Sequence, residues 1–523
     1  MHFMSLGYLN LCILLLYVLC STTLLKHKPH IFKSIQAQKI NIKIKYHLFI
    51  FIRKKRIQMN PNGYSYSFQT PEIGNYSSPT ASFSSNGSSM SQQDMHHDDL
   101  EYRLRELEKV MMETDHGYME SFDVCSSRGV VSRTASRAAA GRTIADIVSR
   151  RDFKELLIAC AKSVAENDTI TANWLMSELR PMVSVSGEPA HRLGAYMLEG
   201  LVARLSSSGS SIYNALKCKQ PSGNELFLYM CLLYEACPYF KFGYLSANGA
   251  IAEATKNESR IHIIDFQIAQ GSQWVTLIQA LASRPGGPPS LRITGVDDFT
   301  SAYARGGEVN IVGQRLTKLA QSCNIPFEFH GVSVSGSEIE TKHLGCRPGE
   351  SLAVNFAFML HHMPDESVNP QNHRDRLLRL VKSLSPKVVT LVEQESNVNT
   401  APFVHRFQET LNYYTAIFES IDVTLPRNDQ QRINVEQHCL ARDIVNIIAC
   451  EGAERVERHE VLGKWRSRFT MAGFTPYPLS SLVNSTIKSL LENYSSKYRL
   501  QERDGALFLG WMNRDLVASC AWK

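Results

Sequence analysis

The feature that most limits the fold of this 523-residue chain is a change of hydrophobic period near Glu258. Beyond it, short β-rich runs alternate with amphipathic helical stretches: Arg260 to Phe266, Ser290 to Val296, Phe327 to Phe329, Leu352 to Phe356 and Lys387 to Glu393. Strands separated by helices imply right-handed crossovers and a mostly parallel sheet buried on both faces. The C-terminus closes differently. Tyr498 to Arg503, then Asp504-Gly505, then Ala506 to Met512 predict an antiparallel hairpin with a type I′ turn, and Leu516 to Trp522 supplies one more strand. The expectation is an α/β, Rossmann-like fold of the class I methyltransferase type, with a C-terminal antiparallel hairpin.

Upstream the period is helical. Asp152 is placed to cap a helix carrying Leu156, Leu157, Cys160, Ala161 and Val164. A second helix around Trp174, Leu175 and Leu179 ends at Pro181, and a third opens after Gly187-Glu188-Pro189 and runs through Leu193, Tyr196, Met197, Leu201 and Leu205. In a domain of this size such faces are more often core than partner surface.

The part before the helices divides by composition. Residues 5–25 are apolar and nearly long enough to span a bilayer, and basic residues crowd 26–56. The competing reading is that 1–58 is translated leader with Met59 as the working start, because 26–58 is almost entirely Lys, Ile, His, Phe, Gln and Asn. Residues 59–142 are expected to be disordered apart from a short amphipathic helix over 98–112, with Leu100, Leu104, Leu107 and Met111 on one face. A globular domain is expected over 143–523.

Charge argues against direct DNA binding as the main activity. The formal net charge is +6, but without 1–58, which holds ten Lys or Arg and no acid, 46 basic residues face 50 acidic ones. The 12 cysteines never form a Cys-x-x-Cys pair, and Cys160, Cys231, Cys237 and Cys450 sit in apolar helical stretches, as reduced core cysteines do. Disulfide or zinc frameworks would need paired spacing.

On a parallel sheet of this kind a ligand sits where the first strand hands over to its helix. Here that turn reads Gln267-Ile268-Ala269-Gln270-Gly271, with one glycine and bulk where a nucleotide binder needs none. Asp297 ends the second strand, about where a ribose-binding carboxylate would stand, but one acid is a weak signal. Gly-x-Ser-x-Gly, Walker and His-Glu-x-x-His patterns are absent from the sequence. His361-His362 follows the fourth strand with no clustered carboxylate in the sequence, so the pair reads as a local hydrogen-bonding loop. No catalytic, cofactor-binding or metal-binding residue is therefore assigned.

At this point the residues match a known pattern. Ile261, His262, Ile263, Ile264 and Asp265 resemble the VHIID motif of the GRAS family, with Ile261 in place of its Val. Residues 151–211 resemble the first leucine-rich repeat of that family, 230–295 the VHIID region and 310–342 the second repeat. Residues 351–445 resemble the PFYRE region through Pro402-Phe403, Tyr413-Tyr414 and Arg442-Asp443, with Asp443 where the family pattern has Glu. Residues 448–523 resemble the SAW region through Trp465-Arg466-Ser467-Arg468-Phe469, Leu509-Gly510-Trp511 and Ser519-Cys520-Ala521-Trp522. Glu188 to Tyr196 and the helix at Asp98 resemble the scarecrow-like branch of phytochrome A signal transduction and chitin-inducible gibberellin-responsive proteins.

The resemblance implies an α-helical cap on the Rossmann-like core. It also implies a plant regulator of transcription in the nucleus, and in the cytoplasm as well. Such a protein would pair with transcription factors, zinc-finger proteins among them, or with other GRAS proteins as homo- or heterodimers, reaching DNA mainly through those partners and needing no membrane. Asp265 is expected to cap the turn after its strand, and Arg466, Arg468, Trp511 and Trp522 to anchor the fold rather than a partner. An S-adenosylmethionine-dependent methyltransferase on the same scaffold, and a membrane-tethered signalling protein, are the readings from other classes.

Overall fold

The structure, a computed structural model, describes residues 146–209, 211–297 and 309–523. The expectations for 1–58, for 59–142 and for the helix at 98–112 lie outside the described residues.

After a helical segment over 146–150 come three helices: α1 (Phe153–Ala165), α2 (Thr169–Leu179) and α3 (Pro189–Leu205). Asp152 caps α1 by accepting a hydrogen bond from the Glu155 amide at 3.0 Å. Pro189 stands in the first turn of α3, where its missing N–H costs nothing. Most of their apolar residues are buried, but the faces are not all core: on α2, Ile170 is 80% and Trp174 42% exposed, while Leu175 and Leu179 pack inward. Two further helices, α4 (Gly223–Ala236) and α5 (Tyr239–Ala254), lead into the sheet.

The sheet units follow as β1 (Arg260–Asp265), α6 (Ser272–Ala282), β2 (Ser290–Val296), α7 (Val309–Ser322), β3 (Phe327–Val332), β4 (Ser351–Ala357), α8 (His373–Ser383) and β5 (Val388–Gln394). An insertion, α9 (Phe403–Asp422) and α10 (Ala441–Ala449), separates these from α11 (Leu462–Met471), β6 (Pro476–Tyr477), α12 (Ser481–Leu491), β7 (Tyr498–Arg503), β8 (Ala506–Trp511) and β9 (Arg514–Trp522). The strand order is β3-β2-β1-β4-β5-β9-β8-β7, with β6 also paired to β9. β1 to β5 are parallel, and β9 runs antiparallel to β5 with Leu391 opposite Cys520. This is the expected sheet. The turn between β7 and β8 has positive φ at both Asp504 and Gly505, as a type I′ turn requires.

One detail departs from the sequence reading: β3 extends past Phe329 to Val332. The last strand, which the sequence left without a place, inserts between the hairpin and β5; every residue from Leu516 to Trp522 is buried, as a central strand covered on both faces requires.

Each face of the sheet carries its own core. Ile261 and Ile263 pack with Trp274, Leu277 and Ile278 of α6 and Val312 and Leu316 of α7. Ile264, Phe356 and Trp522 pack on the opposite side with Leu377 and Val381 of α8 and Trp465 and Phe469 of α11. A third core joins α1 to α5 with α9 and α10, so the cap is built from two parts of the chain. They are held by buried charge: the Arg192 guanidinium, wholly buried, reaches Glu436 at 3.0 Å and Asp422 at 2.7 Å, and Arg432 pairs with the same Glu436.

Candidate functional site at the carboxyl edge of the sheet

Parallel strands present their chemistry at their carboxyl ends, where chain direction changes and loops converge. β1 delivers Asp265 there, 1% exposed. Its Oδ1 accepts the Gln267 amide at 3.2 Å and Asn355 Nδ2 at 3.0 Å, and its Oδ2 accepts the Trp274 indole N–H at 2.8 Å. Asp265 thus caps its turn and also anchors a buried network. Asn355 and Gln273 exchange amide hydrogen bonds at 3.1 and 3.2 Å, Thr390 donates to Asn355 at 2.8 Å, and Gln273 Nε2 donates to Asn248 of α5 at 3.3 Å. Burial pushes the Asp265 carboxyl up to about 6, against the pull of its hydrogen-bond donors.

The turn beyond Asp265 is filled by the chain itself. Ile268 is buried and lies over Gly295 at the end of β2, so that a Cβ there would sit 2.8 Å from Ile268 Cγ1. Gly271, with φ of +70°, makes the left-handed step that starts α6, and a Cβ on it would meet Val312 Cγ1 at 2.8 Å. Asp297 follows β2, its amide bonded to Val332 O at 2.9 Å. Two hollows lie elsewhere: one of ≈ 260 Å³ in the cap, lined by Arg180, Val183, Tyr196, Leu198 and Gln437, and one of ≈ 500 Å³ beside Glu253, Lys256, Lys387 and Tyr477.

The remaining motif residues are scattered by the fold. His262 is buried in β1 between Thr294 Oγ1 at 2.8 Å and Arg292 at 3.0 Å; burial, then the Arg292 charge, lowers its pKa to about 4. Pro402 caps α9, and the Phe403 ring lies under the Arg204 guanidinium at 3.8 Å. Arg442 is buried on α10. Arg466 donates to Asp504 O at 2.7 Å across the hairpin turn. The Trp511 indole donates to Glu419 at 3.1 Å, Ser519 accepts from Ser246 at 2.6 Å, and Trp522 stacks on Phe469 with ring centres 5.0 Å apart. Trp511 and Trp522 therefore serve different cores, Trp511 the cap and Trp522 the α11 face.

A second cluster corrects the reading of His361-His362. The fold does bring carboxylates to the pair. His361 Nδ1 meets Glu393 Oε2 at 2.5 Å, and His361 Nε2 lies 3.4 Å from Glu457 Oε2. His362 Nε2 meets the other Glu457 oxygen at 3.1 Å, and His459 Nε2 meets Glu457 Oε2 at 2.9 Å. Tyr413 and Tyr414 pack edge to face beside it, and the Asp443 carboxyl is pushed well up by burial and by the Glu457 charge. Sequence reasoning missed this because Glu457 lies far along the chain; only Glu393, ending β5 one strand over from the pair, was a usable signal.

The strand order defines a methyltransferase-type α/β scaffold that carries a helical cap, with Ile268 packed over Gly295 in the turn after β1. Comparison places it further: the chain belongs to the GRAS domain family, whose model matches residues 153–523. It is 69% identical over 432 residues to Scarecrow-like transcription factor PAT1 of Arabidopsis thaliana, covering 81% of this chain and 86% of that one. It is 58% identical over 485 residues to chitin-inducible gibberellin-responsive protein 2 of Oryza sativa subsp. japonica, covering 89% of this chain and 88% of the relative. Both names belong to the branch that Glu188 to Tyr196 resembles. The crystal structure of SCL7 in Oryza sativa superposes with a TM-score of 0.63 at 36% identity, over 71% of this chain and 99% of that one. Among the described residues no helix is long and apolar enough to cross a membrane.

Proposed function

We propose that this chain is a plant transcriptional regulator that performs no catalysis and works through contacts with transcription factors and other GRAS proteins, in the nucleus and also the cytoplasm, reaching DNA through those partners. The observation that carries the reading is the filled turn after β1. Ile268 and the Asp265–Trp274–Asn355 network take the room that a nucleotide-type cofactor needs, which leaves outer surfaces to act. The names of the relatives support transcription, with gibberellin among the signals.

The competing methyltransferase reading rests on the strand order and on Asp297 after β2. Calorimetric titration with S-adenosylmethionine decides between them: no binding heat is expected, and micromolar binding lost in Asp265→Asn and Asp297→Asn would restore the enzyme. Gel shifts test the route to DNA, with purified protein expected to give none until a second factor is added. A membrane-tethered signalling role would rest on residues 5–25, and fractionation of the native protein tests it.

A further inference from the structure

The loop from Glu451 to Val461 carries the chain from the cap helix α10 back to α11 on the sheet, and in passing it lays Glu457 and His459 against the ends of β4 and β5. We propose that His361, Glu457 and His459 form a buried site for a divalent first-row transition cation, zinc above all, that clamps the cap-to-sheet crossing. One ligand atom from each lies within 4.8 Å of the others. The Glu457 Oε2 separation of 3.4 Å to His361 Nε2 matches, and that of 2.9 Å to His459 Nε2 falls somewhat short of, the roughly 3.4 Å edge of a tetrahedron whose ligands stand about 2.1 Å from zinc.

Two of the three ligands have the outer partners that a metal site uses. His361 turns its Nε2 to the centre because Nδ1 is held by Glu393, and Glu393 is itself held by the Met359 and Leu360 amides at 3.2 and 2.8 Å. That carboxylate–imidazole pairing fixes tautomer and ring orientation in metal sites. Glu457 is oriented by His362 on its second oxygen and by its own amide, which donates to Asn446 Oδ1 at 2.9 Å. His459 is 1% exposed and its Nδ1 finds no hydrogen-bond partner, so that ring is held by packing against His361 and Tyr413.

Two carboxylates, Glu393 and Glu457, lie buried among three imidazoles, a donor set that suits a dication. Entry is by way of His362, whose side chain is 16% exposed against 4% or less for the others.

The test uses the full chain, stripped with a chelator and titrated with zinc by calorimetry and with cobalt by visible absorption. One equivalent is expected to bind with micromolar or tighter affinity, cobalt giving the visible bands of a four-coordinate ion, and zinc raising Tm by several degrees. His459→Gln and Glu457→Gln, with fold checked by circular dichroism, are expected to lose that equivalent. His96→Gln with His97→Gln, and the exposed His405→Gln, are expected to keep it. The proposal is overturned if the stripped chain takes up neither metal from a tenfold excess. It is equally overturned if folded His459→Gln or Glu457→Gln protein binds as the parent does. Should both of those variants fail to fold, uptake by the parent that disappears in the His96/His97 or His405 variant overturns it too.

Discussion

Asp265→Asn gives the sharpest test of the network at the end of β1, because it removes the titrating group; it also turns one of the two accepting oxygens into an NH2 that faces a donor, a cost that does not vary with pH. The native carboxyl titrates at about 6 when folded and near its ordinary value of 3.8 when unfolded. A raised folded value means that the native state binds the proton more tightly. The stability this supplies is whole below 3.8, fades as pH rises, and is gone above about 6. At about 1.4 kcal/mol per pH unit, that interval is worth about 3 kcal/mol, of which about 2 kcal/mol lies above pH 4.5. Asparagine does not titrate, so its stability relative to the parent should climb by about 2 kcal/mol between pH 4.5 and 7.5, whatever its absolute level. Urea denaturation of parent and variant at half-unit steps across that range measures the difference directly. A flat difference, or one that falls toward neutral pH, would show that hydrogen bonds from Trp274, Asn355 and Gln267 outweigh desolvation, and the account of the site would be wrong.

Other substitutions probe the frame around it. Arg192→Ala leaves Glu436 with Arg432 alone and strips the hydrogen bonds to Asp422, Gly187 O and Phe418 O, so unfolding free energy should fall toward the lower end of about 3–5 kcal/mol, read from denaturant midpoints; a loss below about 1 kcal/mol would mean that Arg432 and water replace the pair. Gly271→Ala imposes φ of +70° on a side chain that also collides with Val312, so a loss of roughly 1–3 kcal/mol is expected, partly restored by adding Val312→Ala. Trp511→Phe removes the indole bond to Glu419 and should cost about 1–3 kcal/mol by thermal melting, whereas the exposed Trp174→Phe should change Tm little.

The hydrophobic period was sufficient to read the five parallel strands, the crossover helices and the closing hairpin, since each is dictated by neighbours in sequence: alternation, a capping Asp152, a Pro189 at a helix start, an Asp504-Gly505 turn. Asp265 and the bulk after it were legible for the same reason. What tertiary structure alone decided depends on residues hundreds of positions apart. It placed β9 inside the sheet rather than at its rim, because burial on both faces outweighs the local hairpin connection. It assembled the cap from α1–α5 and α9–α10, and across that joint it set Arg192 against Glu436 and Asp422, residues more than two hundred positions away. And it surrounded His361 with Glu393 and Glu457, a meeting that no spacing in the chain announces, because the cost of burying each ionised group is met only when the folded chain supplies its partner.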